Sequence, residues 1–216
     1  MSLFSLVNLV LLFFILPCIF FFHPFILVLI LCLWFYLFNR YVSWEFVNIT
    51  TDRIVGFWLF LVSEIIVFAT LLFTCLWFQD YYSKPIAYAY GAPMVESWLL
   101  ISSSFFMTSY RGLINTKWCH LFLNWSIIFS FFFMITAVLE VISSGVSSLF
   151  NPHAAACYMT IGLHFIHVVI GTLGLTQLDY YFSFDVVRRY SWMIVVYWHF
   201  VDYVWLVVFT IVYLLV

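Results

Sequence analysis

Five ionisable side chains sit inside stretches that are otherwise almost wholly apolar. Glu64 lies in the middle of "LVSEIIVF", His164 and His167 in "GLHFIHVVIG", and His199 and Asp202 in "YWHFVDYVWLVVFTIVYLLV". A charged group in hydrocarbon is costly unless it is paired, wetted or neutralised, so each of the five is expected to face the interior of a helix bundle. His164 and His167 are three positions apart, as are His199 and Asp202, a spacing that places both members of a pair on one helix face. Glu64 has no cation at its depth on its own span and therefore either keeps its proton or meets a partner from another helix. The chemistry open to such a set is proton handling; the plainer alternative is a neutral, hydrogen-bonded interior. One reading joins all five: Glu64, His164, His167, His199 and Asp202 neutralise one another between three helices.

Other chemistries fit these residues less well. A b-type haem needs histidine pairs on two facing helices. His153 and His167 have a superficially suitable separation, but His153 follows Asn151–Pro152 and reads as lying outside the helix, and no second helix carries a matching pair. A copper or zinc centre needs three or four convergent ligands, and only His199 offers itself beside the other two histidines. The last span has no lysine for a retinal Schiff base, and no pair of broken helices marks a secondary transporter. Gly162 and Gly171 flank the histidine pair and would allow close approach of a helix or ligand.

The elements that hold these residues are membrane helices. The chain has 216 residues, of which 67% are hydrophobic and only 7% charged. Soluble domains carry about 25% charged residues, so this chain lacks the polar groups to cover a water-facing surface. A net charge of −2 gives no footprint for nucleic acid. The N-terminus has neither a basic region before its apolar run nor a small-residue cleavage site, and it does not resemble an Arg-rich transit peptide. The 28 phenylalanines point to the coding bias of an organelle genome, with a bacterium as the other possibility. Five cysteines, Cys18, Cys32, Cys75, Cys119 and Cys157, are scattered without CxxC spacing and read as buried, inert thiols.

Spans of membrane length are expected at about 54 to 78, 94 to 112, 119 to 143, 155 to 177 and 190 to 214. The second is the weakest because "ISSSFFMTS" is rich in hydroxyls, which bond back to the preceding turn or across to a neighbour. The apolar run from Ser5 to Phe38 is too long for one crossing and has His23–Pro24 at its midpoint, so two spans are expected, about 4 to 21 and 24 to 39. Seven spans put Arg40, Arg53, Arg111, Lys117, Arg188 and Arg189 on one side and Lys84 alone on the other. By the positive-inside rule the N-terminus is then on the matrix or cytoplasmic side and the C-terminus opposite.

Three of these stretches, in this order, resemble the signatures of one family, subunit III of the haem–copper cytochrome c oxidases. "YWHFVDYVWL" is similar to its last-helix motif Y-W-H-F-V-D-x-V-W, and "GLHFIHVVIGT" to its G-x-H-x-x-H-V-x-x-G. "GFWLFLVSE" resembles the helix that carries the family's buried glutamate. The resemblance implies an all-α polytopic membrane protein of seven transmembrane helices. Its first two helices and last five form two groups around a V-shaped, lipid-filled cleft. The expected division is a two-helix hairpin with its matrix-side loop over 1–53 and a five-helix bundle over 54–216.

By the same resemblance, this is a non-catalytic core subunit with no redox centre of its own. Haem a, haem a3 and copper would sit in partner subunits, while this chain packs on subunit I and joins subunit II and accessory subunits. The complex would take electrons from cytochrome c, reduce oxygen to water and pump protons across the mitochondrial inner membrane, with the chain's N-terminus in the matrix and its C-terminus in the intermembrane space. Glu64 takes the place of the family's intramembrane carboxylate, and His164, His167, His199 and Asp202 those of its signature polar residues. Phospholipids, cardiolipin among them, would be held at Trp44, Arg53 and Glu64. The chain departs from the family at "SWEF", which lacks an arginine, and at "FATLLFTCLWF", which lacks a histidine after the glutamate. Quinol-oxidase relatives typically lack the first two helices, so the N-terminal hairpin favours the cytochrome c branch. The reading from a different class is an independent proton-coupled transporter built around Glu64.

Overall fold

The computed structural model describes residues 54–79, 87–114, 116, 118–144, 151–180 and 185–215, with the backbone alone over 185–190. It also describes Leu29, Leu33, Tyr36, Leu37 and Arg40, all helical. The chain divides into two compact units, Met1–Thr51 and Asp52–Val216. The spans expected over 4–21 and 24–39, the turn at His23–Pro24, and Trp44 and Arg53 lie outside the described residues, as does the cleft that the first two helices would border.

The regular structure of the second unit, among its described residues, is all helical. Its elements are α1 (Ile54–Trp77), α2 (Ala92–Gly112), α3 (Cys119–Ser143), α4 (Pro152–Tyr180) and α5 (Asp185–Phe209), the last running into a π-helical turn, Thr210–Leu214. Among the described residues, four segments are long and apolar enough to cross a membrane: Ile54–Trp77, Cys119–Ser143, Pro152–Tyr180 and Ser191–Leu214. The helix α2 falls short of that composition because it carries Glu96, Ser97 and a run of hydroxyls.

Backbone groups in hydrocarbon must be satisfied within the protein, which is why only helices or closed barrels cross it. The polar side chains of α1 follow the same logic. Ser63, Thr70 and Thr74 each donate back to a carbonyl one turn earlier, at 2.7 Å. Local signals set the ends. Pro93 stands in the first turn of α2, where its missing N–H costs nothing. At the start of α4, Asn151 Oδ1 accepts the His153 N–H at 3.0 Å, with Pro152 as the first helical residue. His153 is therefore inside the first turn of α4 and buried, not in the preceding loop as its Asn–Pro neighbours suggested. The dipeptide that read as a loop is the helix's start signal.

Helices α4 and α5 form the centre: α4 packs on α1, α3 and α5, and α5 also packs on α2, which in turn lies along α3. Leu100 and Met107 of α2, Phe133 of α3, Val168 of α4 and Trp198 and Trp205 of α5 are fully enclosed between them. One glycine makes this close packing possible. A Cβ on Gly171 would stand 2.9 Å from the Trp198 ring, so the indole occupies the space a side chain would take. Gly162, expected to serve in the same way, has nothing within 4 Å of such a Cβ.

Candidate functional site

Glu64 finds its partner on another helix. Its Oε2 is 3.0 Å from Nε2 of His167 on α4. The other ring nitrogen, Nδ1, lies 2.8 Å from the Leu163 carbonyl oxygen. A carbonyl only accepts, so Nδ1 carries a hydrogen and the contact with Glu64 is left to Nε2. Two arrangements satisfy that contact: a carboxylic acid donating to a neutral ring, or an imidazolium donating to a carboxylate. Either way one proton lies between the two residues and the pair as a whole is neutral, the form in which hydrocarbon tolerates it. Phe68 meets the His167 ring edge-on at 5.1 Å, and Tyr197 of α5 stacks beside it and donates to the His167 carbonyl at 3.4 Å. The Glu64 side chain keeps 21% of its surface exposed, against 7% for His167, so the pair opens on the carboxylate side.

His164 does not join this pair. Its Nε2 faces the Val201 carbonyl at 3.2 Å and so donates, while its buried Nδ1 has no hydrogen-bond partner. Phe133 and Trp205 enclose the ring. Its role in the packing is to tie α4 to the backbone of α5.

His199 and Asp202 both turn toward α2. Ser104 Oγ is 2.7 Å from His199 Nδ1, and Thr108 Oγ1 is 3.5 Å from His199 Nε2. Ser104 also stands beside the Asp202 carboxyl, whose Oδ1 is buried without a hydrogen-bond partner. The Thr108 hydroxyl already donates to the Ser104 carbonyl at 3.0 Å, so its oxygen is free to accept from Nε2. The five residues therefore do not form one mutual cluster. They form a Glu64–His167 pair, a His199–Ser104–Asp202 group, and a separate His164.

The hydroxyls of α2 explain why α5 carries so many aromatics. Trp198 Nε1 donates to Ser103 at 3.1 Å and Trp205 Nε1 to Ser97 at 3.0 Å. The pairing runs antiparallel. Each indole buries a large apolar surface and still places its N–H, and each serine passes its own proton to a carbonyl of α2, Ser97 to Pro93 and Ser103 to Leu100.

A second acidic site was not foreseen. Glu96 of α2 and Glu140 of α3 are both buried and their carboxyl groups are in hydrogen-bond contact. Tyr213, in the π-helical turn, donates to Glu140 Oε1 at 2.8 Å. Two carboxyls can share a hydrogen bond only if one holds a proton, so this pair keeps at least one. Glu96 Oε1 has no partner. A readable signal existed: each glutamate is within about one turn of a helix end, Glu96 after Ala92 and Glu140 before Ser143, and antiparallel neighbours bring such ends together.

At the opposite end of α3 and α4, His120 Nδ1 and Asp179 Oδ1 are 2.9 Å apart. Among the described residues, no three His, Cys, Asp or Glu side chains converge in a way that could hold a metal ion.

With the geometry in view, the likeness to known proteins is specific. The chain is 26% identical over 178 residues to a probable quinol oxidase subunit 3 of Staphylococcus haemolyticus, an alignment covering 74% of this chain and 87% of the relative. It is 24% identical over 181 residues to the cytochrome bo(3) ubiquinol oxidase subunit 3 of Buchnera aphidicola, covering 77% and 93%. Over most of its length the chain is similar to subunit III of the haem–copper oxidases. Probable quinol oxidase subunits of Staphylococcus aureus strains align at the same 26%. No family model matches the chain. Its long apolar helices, together with this likeness, support a membrane protein. The relatives are bacterial and named for quinol, which departs from the cytochrome c and mitochondrial expectations.

Proposed function

We propose that the chain is the non-catalytic third subunit of a terminal respiratory oxidase. It stabilises the catalytic subunit I, holds structural phospholipids and supports proton uptake while the complex reduces oxygen to water and pumps protons. The observation that carries this reading is the oxidase likeness over 74% of the chain. The Glu64–His167 contact supports the proton-handling part, because it holds one exchangeable proton within a membrane helix pair. In this reading Glu64, His164, His167, His199 and Asp202 are the intramembrane polar residues, and Trp44, Arg53 and Glu64 meet lipid, cardiolipin included. Residues 1–53 form a two-helix hairpin and 54–216 the five-helix group.

We infer cytochrome c as the electron donor and the mitochondrial inner membrane as the location. The long apolar run before residue 39 and the phenylalanine-rich composition support both. The names of the relatives favour a quinol donor instead. Oxygen consumption by the complex purified with this chain separates the two. Turnover with reduced cytochrome c and none with a short-chain quinol is expected, and the reverse would overturn the donor assignment. The haems and coppers of that enzyme belong to partner subunits.

A further inference from the structure

Three side chains from two helices meet at the end of the bundle away from Arg111. Cys75, near the end of α1, and Cys157, in the second turn of α4, are buried, and their side chains are neighbours. His153, one turn before Cys157, points Nδ1 at the Cys75 carbonyl oxygen at 3.0 Å and Nε2 at the Cys157 sulfur at 3.6 Å. The carbonyl can only accept, so Nδ1 carries the hydrogen. In the neutral ring Nε2 is then a lone pair aimed at Cys157, whose S–H donates to it. Thr160 Oγ1 is 3.5 Å from the Cys75 sulfur and gives its own proton to the Ala156 carbonyl at 2.8 Å, so its oxygen is placed to accept the Cys75 S–H. Each thiol has an acceptor, and one acceptor is a base.

We propose that Cys75 and Cys157 are a redox-active dithiol, with His153 as its base, which closes to an α1–α4 disulfide on reaction with hydrogen peroxide. Cys157 passes its proton to His153 Nε2, and the thiolate attacks one peroxide oxygen. The O–O bond breaks, the departing hydroxide takes the proton from His153, and water leaves a sulfenic acid on Cys157. The Cys75 thiol then attacks the Cys157 sulfur; the S–S bond forms, the S–O bond breaks, and the hydroxyl departs with the Cys75 proton as a second water. Two thiols lose two electrons and one peroxide becomes two waters.

A buried thiol without a base is inert, which is how these cysteines read from their spacing alone. The pair is divided between two helices, so no CxxC pattern announces it. The oxidant must be small and neutral to reach so enclosed a site, and hydrogen peroxide is both. The site lies close to where α1 ends at Trp77 and α4 begins at Pro152. Closure would link the two helices that carry Glu64 and His167, and would hold that pair in register.

The test uses the native complex in mild detergent. It is treated with hydrogen peroxide, alkylated with N-ethylmaleimide under denaturing conditions, digested and analysed by mass spectrometry. A Cys75–Cys157 linked peptide is expected that grows with peroxide and disappears with dithiothreitol, while Cys119 on α3 remains alkylated. In Cys75→Ser, Cys157 should stop at a sulfenic acid that dimedone traps. His153→Gln should slow closure by at least about tenfold, the low end of a general base's effect with a margin for residual reactivity. Two results would overturn the proposal: Cys75 and Cys157 oxidised no faster than Cys119, or closure at the wild-type rate in an assembled His153→Gln complex. If that variant fails to assemble, the wild-type comparison with Cys119 still decides.

Discussion

Glu64 of α1 and His167 of α4 stand 3.0 Å apart, and the far nitrogen of His167 is fixed by the Leu163 carbonyl at 2.8 Å. That second contact determines what the first can do. With Nδ1–H committed, the pair holds one proton and either residue can keep it. Removing one partner leaves the other as an unsatisfied polar group in a low-dielectric setting. Glu64→Ala should therefore destabilise the solubilised complex by about 1–3 kcal/mol, the usual cost of a buried group left unmatched. Glu64→Gln should cost less, because its amide can donate to Nε2. Thermal unfolding of both variants in the same detergent checks the order; equal loss in the two would contradict the pairing.

Ser104 stands against both His199 and Asp202. Ser104→Ala strips both at once and should cost about 1–3 kcal/mol. Ser102 is half-buried and its hydroxyl bonds back to the Trp98 carbonyl, so Ser102→Ala should stay within about 0.5 kcal/mol of wild type. Paired melting curves test the contrast, and similar midpoints would show that Ser104 has no special place.

Gly171 and Gly162 make an internal control for close packing. A methyl at Gly171 drives into Trp198 from 2.9 Å, and Gly171→Ala should cost about 1–3 kcal/mol by overpacking. The same change at Gly162 meets nothing and should leave the unfolding midpoint unchanged. Tryptophan fluorescence of the variants reads the disturbance at Trp198 directly.

The Glu96–Glu140 site depends on a donor from the π-helical turn. Tyr213→Phe removes the hydroxyl that Glu140 accepts and should lower stability by about 1–3 kcal/mol. Glu96→Gln replaces a carboxyl with a neutral amide that can still donate to Glu140, and should be tolerated. A Tyr213→Phe protein as stable as wild type would mean that this hydroxyl is not holding the pair.

Much of this arrangement is legible in the sequence, and the limits have physical causes. Apolar length alone locates the described helices to within a few residues, except that α4 and α5 begin earlier than their apolar cores because Asn151–Pro152 and the polar start of α5 extend them. Composition also marks α2 as the weakest span, and its hydroxyls turn out to receive the indoles of α5. Same-face spacing proves necessary but not sufficient: His164 and His167 share a face, yet one bonds to backbone and the other to Glu64. Which helix lies opposite decides that, and spacing within one helix carries no such information. The same limit hides Cys75 from Cys157 and Glu96 from Glu140, since each pair spans two helices.

The central claim is that this chain works as part of a terminal oxidase, and an optical spectrum of the complex isolated through it in mild detergent tests that most directly. The account predicts reduced-minus-oxidised haem bands, together with oxygen consumption that cyanide abolishes. A preparation of this chain alone, free of haem and moving protons by itself, would contradict the account and establish the transporter reading centred on Glu64.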